Sequence, residues 1–148
     1  MKKLLFVAAA FVLSSAVMAQ SKAEDVVKFH ELKYDFGKLK QGVPATYDFE
    51  FKNISEKPVV VETASATCGC TTPKWPQAPV MSGKKDKINV GYNAASAGAF
   101  TKSITVKLAG VDAPVTLTIT GEVLTAEAYD AYVKENSSKQ KQKGKSGK

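Results

Sequence analysis

Apolar and polar side chains alternate along two segments of this 148-residue chain, and this alternation restricts the fold more than any other feature. In residues 46–52, Tyr47, Phe49 and Phe51 alternate with polar side chains, and in residues 115–123 apolar residues alternate with threonines and one glutamate. Successive side chains of a β-strand point to opposite faces. Each segment therefore predicts a strand with one face in a core and the other in water.

Weaker strand patterns fill the region between and around these two segments. Turn signals rich in Gly, Pro, Asn and Asp separate them, among them Asp35-Phe36-Gly37. Six or seven short strands without a long helical pattern predict an all-β fold. We expect one immunoglobulin-like antiparallel β-sandwich of about seven strands over residues 26–124. Its weaker strands are predicted at residues 26–32, 58–65, 87–92 and 100–108.

The first 19 residues have the parts of a secretory signal peptide. Two lysines precede an apolar run that begins at Leu4, and small residues up to Ala19 close it before Gln20. The run is shorter than the roughly 20 apolar residues that span a bilayer. We therefore predict that residues 1–19 are removed. The mature protein is then exported without a transmembrane segment, and is periplasmic, secreted or at the cell surface.

Three further segments flank the predicted sandwich. Residues 20–25 form a polar lead, and residues 125–135 predict a short helix that Thr125 caps. Residues 136–148 contain only Asn, Ser, Lys, Gln and Gly. Such a composition buries no apolar surface, so the sequence predicts a disordered, lysine-rich tail. A basic tail is typically solvated, and its functional interpretation is weak attachment to anionic envelope polymers or lipid headgroups.

The net charge of +7 belongs to the two ends of the chain. Residues 134–148 hold six lysines and one glutamate, whereas residues 20–133 hold 13 lysines and 13 acids. A nucleic-acid-binding domain would carry its positive charge on the folded body, so nucleic acid is not an expected partner. The chain has no arginine and one histidine, His30. Arginine-based anion recognition and sites with several histidines are therefore excluded.

Cys68-Gly69-Cys70 is the one place where the residue types suggest chemistry, and four interpretations stay open. The cysteines form a disulfide, which requires a sharp bend because extended residues i and i+2 lie about 6.6 Å apart. Alternatively, they form a redox-active pair that exchanges thiols in an oxidising compartment. They can also bind copper(I) or zinc, although no further ligands lie nearby in sequence. Finally, they are two packed thiols without a chemical role.

Two neighbours of the cysteines are candidate loop contacts. Thr71 follows the pair directly, and Trp75 lies between two prolines in a segment that reads as a loop. Trp75 either anchors the loop in the core or presents an aromatic ring to a partner. No residue is assigned a catalytic role.

Several short strings occur together and resemble one protein family. They are residues 34–39 (YDFGKL), Gly42, 49–53 (FEFKN), 68–71 (CGCT), 98–100 (GAF) and 121–123 (GEV). In combination they resemble a widespread family of exported bacterial domains of unknown function with a Cys-Gly-Cys-Thr motif. The resemblance covers about residues 29–123. At residues 82–84 the family more often has Pro-Gly followed by an acid, a difference that touches only a turn.

The resemblance implies an immunoglobulin-like sandwich similar to ASH/HYDIN and PapD-like domains, most of which are interaction modules without catalytic residues. Together with the neutral body of the domain, this implies a non-enzymatic binding or scaffolding module of the cell envelope. Its partner would be an envelope protein or polymer. The alternative function is thiol–disulfide exchange or copper or zinc handling through Cys68 and Cys70.

Overall fold

A computed structural model describes residues 22–143, which form two four-stranded sheets with a short helix before them and a longer helix after them. The predicted signal peptide, residues 1–19, lies outside the described residues. The elements are α1 (Ala23–Val26), β1 (Val27–Phe29), β2 (Lys33–Lys40), β3 (Ala45–Asn53), β4 (Val61–Ala66), β5 (Thr71–Lys74), β6 (Lys85–Tyr92), β7 (Gly98–Leu108), β8 (Val115–Leu124) and α2 (Ala126–Lys143).

The eight strands of residues 22–143 form two sheets that enclose one core. The first sheet has the order β1-β3-β6-β5 and the second the order β2-β8-β7-β4. The alternating faces close over each other as predicted: Phe49 and Phe51 are 0% and 2% exposed, and Leu117 and Ile119 of the opposite sheet are fully buried. The predicted all-β sandwich is confirmed.

Tyr47 departs from its neighbours on the same face, because it is only half buried. Its ring stacks on that of Tyr34 in the opposite sheet, with centroids 3.5 Å apart, and its hydroxyl donates a hydrogen bond to the Glu31 carboxylate. A tyrosine at the border of a core can bury its ring and still satisfy its hydroxyl in this way.

Strand β2 includes a segment that the sequence predicts as a turn, Asp35-Phe36-Gly37. The Gly37 N–H donates to Oδ1 of Asp35 at 3.0 Å, and Gly37 has a φ of +66°. These features produce a bulge, visible as a register shift between Asp35 and Lys38, and the chain continues in the same strand. The predicted turn at Asp35-Phe36-Gly37 is therefore wrong, because the irregularity interrupts the strand without reversing the chain.

The sequence predicts a loop at β5 because of its prolines, and this prediction is wrong for Thr71–Lys74. Within residues 22–143 it is an edge strand that pairs only with β6. Asn93 donates to the Cys70 carbonyl at 3.0 Å, so alternate residues from Cys70 onward bond to β6. Pro73 lies between two residues that bond to β6, so its backbone nitrogen points away from β6. The N–H that proline lacks therefore removes no hydrogen bond from the sheet.

One strand pair differs from the expected antiparallel arrangement. β2 pairs with β8 in parallel, from Lys33 opposite Thr118 to Lys40 opposite Leu124. The chain passes from β1 in one sheet to β2 in the other through three residues without a hairpin. No tight turn joins β2 to its neighbour β8, so the two strands are not forced to be antiparallel and can run in the same direction.

Helix α2 is longer than the sequence predicts, reaching Lys143 instead of residue 135. It therefore includes part of the segment expected to be disordered, while residues 144–148 lie outside the described residues. No Pro or Gly interrupts residues 126–143, and Ala, Glu, Lys and Gln have high helix propensity. A pair between Lys40 and Asp130 at 2.9 Å links the first part of α2 to β2. No helix within residues 22–143 combines the length and apolar character needed to cross a membrane.

Candidate functional site

The cysteine loop lies where the chain passes from β4 in one sheet to β5 in the other. Thr67 N–H donates to the Ser103 carbonyl at 3.2 Å, and the Cys70 carbonyl accepts from Asn93 at 3.0 Å. Thr71 N–H donates to the Cys68 carbonyl at 3.3 Å and closes the turn. The backbone of the loop is therefore held to strands on both sides by its own hydrogen bonds.

Cys68 and Cys70 form a disulfide, with their Cα atoms 5.3 Å apart. Both residues are half buried, and Cys70 packs against the hydrophobic core. Of the four interpretations of the motif, the structure contains the bonded form. Among residues 22–143 no group of three or more His, Cys, Asp or Glu side chains is placed to hold a metal ion.

A disulfide across so short a loop contributes little to stability. In the chain-entropy account, stabilisation grows with the logarithm of loop length, so a three-residue loop contributes about 1.6 kcal/mol where a 15-residue loop contributes about 3 kcal/mol. Backbone hydrogen bonds at Thr67, Cys70 and Thr71 hold the same loop in addition to the sulfur–sulfur bond. Holding the loop in place is thus a minor role for this disulfide.

The Thr71 side chain lies beneath both sulfurs. Thr71 is 3% exposed, and its Oγ1 lies 3.7 Å from Sγ of Cys68 and 3.9 Å from Sγ of Cys70. Tyr92 of β6 lies opposite Thr71 in the sheet. The Tyr92 ring stacks on that of Phe100, with the ring centroids 4.0 Å apart. Burial raises the pKa of Tyr92.

The other sequence candidates are not part of the same cluster of contacts. Trp75 is half buried and packs against the core, which is the anchoring role of the two proposed for it. His30 is exposed at the end of β1, where its N–H donates to the Glu50 carbonyl at 2.9 Å. Because β1 and β5 are the opposite edges of their sheet, His30 is remote from the cysteines.

A second candidate site, which sequence reasoning missed, is a cleft of about 660 Å³ beside β1. Two of its apolar side chains, Leu32 and Ile54, are 49% and 47% exposed. It could not be found from a local pattern, because four separate segments contribute to it. Its apolar lining comes from Ala23, Val27, Phe29, Leu32, Ile54, Ala113, Pro114 and Val115.

The cleft borders an open strand edge. Ile54 N–H donates to the Val26 carbonyl, and His30 N–H donates to the Glu50 carbonyl, both at 2.9 Å. In an antiparallel ladder alternate residues bond to the same neighbour, so the backbone of Val27 and Phe29 points away from β3. The Val27 N–H is satisfied by Ala23 of α1. The Phe29 backbone thus faces the side of β1 on which no strand of residues 22–143 pairs.

A family model described as "Protein of unknown function (DUF1573)" matches residues 27–123, which is the whole sandwich from β1 to β8 apart from its last residue. The chain belongs to this family. Both candidate sites of this DUF1573 protein lie largely within the matched region, and α2 lies outside it. A comparison with curated proteins returned no match.

Solved structures share the fold at low sequence identity. The ASH/PapD-like domain 7 of human CEP192 has a TM-score of 0.62 and 10% identity, covering 82% of this chain and 99% of that domain. A Porphyromonas gingivalis W83 protein of unknown function has a TM-score of 0.57 and 14% identity, covering 72% of this chain and 50% of that one. The VesB protease of Vibrio cholerae has a TM-score of 0.54 and 11% identity, covering 68% and 33%. These likenesses establish the PapD-like fold of the DUF1573 protein.

Proposed function

We propose that this DUF1573 protein is a non-enzymatic, exported binding or scaffolding module of the cell envelope that holds a partner polypeptide in the cleft beside β1. The observation that carries the proposal is an apolar cleft bordered by an open strand edge. Leu32 and Ile54 keep about half of their surface in water at this place. Exposed apolar groups clustered in a concave site are typical of protein or peptide interfaces.

The chemistry of the cleft favours an extended segment as the occupant. A partner strand would bond to the Phe29 backbone, which no strand of residues 22–143 pairs on this side, and would insert alternate apolar side chains between Leu32, Ile54 and Pro114. The rim carries Lys22, Glu24 and Lys28, so the site offers both signs of charge and does not select a strongly acidic or basic partner.

Export is the part of the proposal that rests on residues 1–19. A cleaved signal would deliver the sandwich to a periplasm or to the cell surface, where an envelope protein or polymer is available as the partner. The lysines of residues 134–148 would add weak attraction to anionic polymers of that compartment.

The binding proposal is tested with substitutions that change the cleft and spare the core. Partners captured from envelope extract are identified, and each purified partner is titrated against the wild type, Leu32→Asp and Ile54→Asp. We expect each variant to weaken binding at least tenfold, because a charge replaces a buried apolar contact. Val43→Asp is the matched control, since Val43 is 53% exposed and precedes β3 at its other end. Equal affinity of all four proteins for the partner would contradict the proposal. So would an extract that yields no partner while the purified protein turns over a substrate.

A second candidate function, thiol–disulfide exchange, is favoured by the cysteine loop. The disulfide is half buried and closes a loop of only three residues, and backbone hydrogen bonds hold the same loop. Purified protein should then exchange with a small dithiol at equilibrium, and Cys68→Ser/Cys70→Ser should abolish the exchange. A wild type that shows no exchange excludes this function and leaves the binding proposal untouched.

A further inference from the structure

We propose that the Thr71 hydroxyl stabilises the thiolate released when the Cys68–Cys70 disulfide opens, and so makes this disulfide a stronger oxidant of peptide dithiols. The inference deepens the second candidate function and rests on it. It concerns a positioning residue, since Thr71 acts through the cysteine sulfurs.

The first step of the argument is the set of contacts that the Thr71 hydroxyl makes. Thr71 is 3% exposed, so water does not satisfy its side chain. Its Oγ1 contacts Sγ of Cys68 at 3.7 Å and Sγ of Cys70 at 3.9 Å. Among residues 22–143 these sulfurs are the hydrogen-bond partners of that hydroxyl.

The second step is the strength of those contacts in the two redox states. A sulfur without charge is a weak acceptor, so the buried hydroxyl is poorly satisfied while the disulfide is closed. A thiolate accepts a charge-assisted hydrogen bond, which is about twice as strong as a neutral one. Opening the disulfide therefore improves the hydrogen bonding of Thr71. A group that stabilises the reduced form makes a disulfide more oxidising.

The third step is the order of attack. Cys70 packs against the core, and Cys68 is outside that contact set. A substrate thiol loses its proton to solvent, and its thiolate attacks Sγ of Cys68. The Cys68–Cys70 bond breaks, a bond forms between the substrate sulfur and Cys68, and the electron pair goes to Sγ of Cys70, beside Thr71.

The exchange then completes without another oxidant. The second substrate thiol loses its proton and attacks the substrate sulfur of the mixed disulfide, so that Cys68 leaves as a thiolate. One dithiol has become a disulfide, and the cysteine pair has been reduced. The two released protons go to solvent or to the cysteines. The step is stoichiometric, with one dithiol oxidised per chain.

The test measures the equilibrium constant for reduction by dithiothreitol at pH 9, where ordinary thiols are mostly ionised. Thr71→Val removes the hydroxyl at nearly constant volume, and Thr71→Ser retains it. We expect Thr71→Val to be about tenfold harder to reduce, which corresponds to a potential about 30 mV more negative. Thr71→Ser should stay within about threefold of the wild type. A valine variant equal to the wild type, or a serine variant equal to the valine variant, overturns the inference.

A measurement on the wild type covers the case in which Thr71→Val does not fold. The alkylation rate of the reduced protein with iodoacetamide is followed against pH. We expect one thiol to titrate below the ordinary cysteine pKa of about 8.5. Two thiols that titrate at or above that value overturn the inference even if exchange occurs. If dithiothreitol opens no disulfide in the wild type, the second candidate function fails and the inference fails with it.

Discussion

Asn53 is a completely buried polar side chain that holds together the segments behind the cleft. Its Nδ2 donates to the carbonyls of Lys57 and Val80, both at 2.8 Å. Its Oδ1 accepts from the backbone N–H of Ser55 at 2.9 Å and from the Ser55 hydroxyl at 2.8 Å. Ile54, which lines the cleft, follows it directly. A buried amide with all these partners fixes the backbone, because the loss of any of these hydrogen bonds inside the protein would raise the free energy of the folded state.

Replacement of Asn53 by alanine should destabilise the protein by about 2–4 kcal/mol, since it removes the two hydrogen bonds that the buried amide donates and the two that it accepts. Chemical denaturation of both proteins measures the difference. Asn93→Ala is the control, because Asn93 is exposed and makes one side-chain bond at 3.2 Å, to the Ala95 N–H. A loss at Asn53 no larger than at Asn93 would show that the buried amide is not a structural centre.

Tyr47 links the two sheets at the border of the core, and its titration reports on that link. The hydrogen bond to the Glu31 carboxylate, followed by burial, raises the pKa of Tyr47 from 10.0 to about 12. A raised pKa means that the folded state favours the neutral phenol. Its stabilising contribution is therefore complete below pH 10, and it is lost as the pH rises from 10 to about 12.

The pH dependence of unfolding should show this component in the wild type and not in Tyr47→Phe. The difference in free energy of unfolding between the two proteins should be constant up to about pH 10 and should decrease as the pH approaches 12. Comparison of the pair removes the titration of the lysines, which both proteins share. A difference that does not change across this window would contradict the Tyr47–Glu31 hydrogen bond.

At the scale of the strands, three lysines form a row across the outer face of the first sheet. Lys52 of β3 lies directly opposite Lys28 of β1 on one side and opposite Lys85 of β6 on the other. All three are exposed. Like charges in directly opposed positions destabilise a sheet.

Lys52→Glu should therefore stabilise the protein by about 0.5–1 kcal/mol, because it turns two repulsive pairs into attractive ones. The gain should shrink as salt is raised from 0.05 M to about 1 M, since exposed charges are screened. Thermal unfolding at several salt concentrations measures both effects. The matched control, Lys107→Glu, breaks the 3.1 Å pair with Glu62 and should destabilise slightly. A destabilising Lys52→Glu would mean that the row is not repulsive.

At the scale of the whole molecule, the two candidate sites are separate. Thr71, beside the disulfide, is in register with Tyr92, which pairs with Ala45 at the first end of β3. Val27, beside the cleft, pairs with Asn53 at the other end of that strand. β1 and β5 are also opposite edges of one sheet. Loss of one site should therefore leave the other intact, which lets the two candidate functions be tested independently.

The intact mass of the protein from its producing cell tests the proposed export together with the disulfide. We expect a chain that begins at Gln20, and a mass lower by two hydrogens than that of the dithiol form. Alkylation without reduction should add nothing, and alkylation after reduction should modify two cysteines. A mass that includes residues 1–19 would contradict signal cleavage. Two alkylated thiols without reduction would contradict the disulfide.

The strands with strict alternation could be predicted from sequence, because every second side chain of such a strand faces the core and is apolar. Phe49, Leu117 and Ile119 are buried as that rule requires. Edge strands are harder, since they bury little and tolerate irregularities. Gly37 and Pro73 read as turn or loop residues for this reason, although both lie within strands.

The sequence by itself determined the sandwich, the neutral body of the domain and the cysteine motif, because those depend on local periodicity and residue types. Only the tertiary structure decided what surrounds the motif and which surfaces remain open. Thr71 is adjacent to the cysteines in sequence, yet its burial beneath both sulfurs depends on β5 pairing with β6. Leu32, Ile54 and Pro114 meet only because two sheets close over each other. Contacts between distant segments depend on the packing of whole sheets, and no local pattern encodes them.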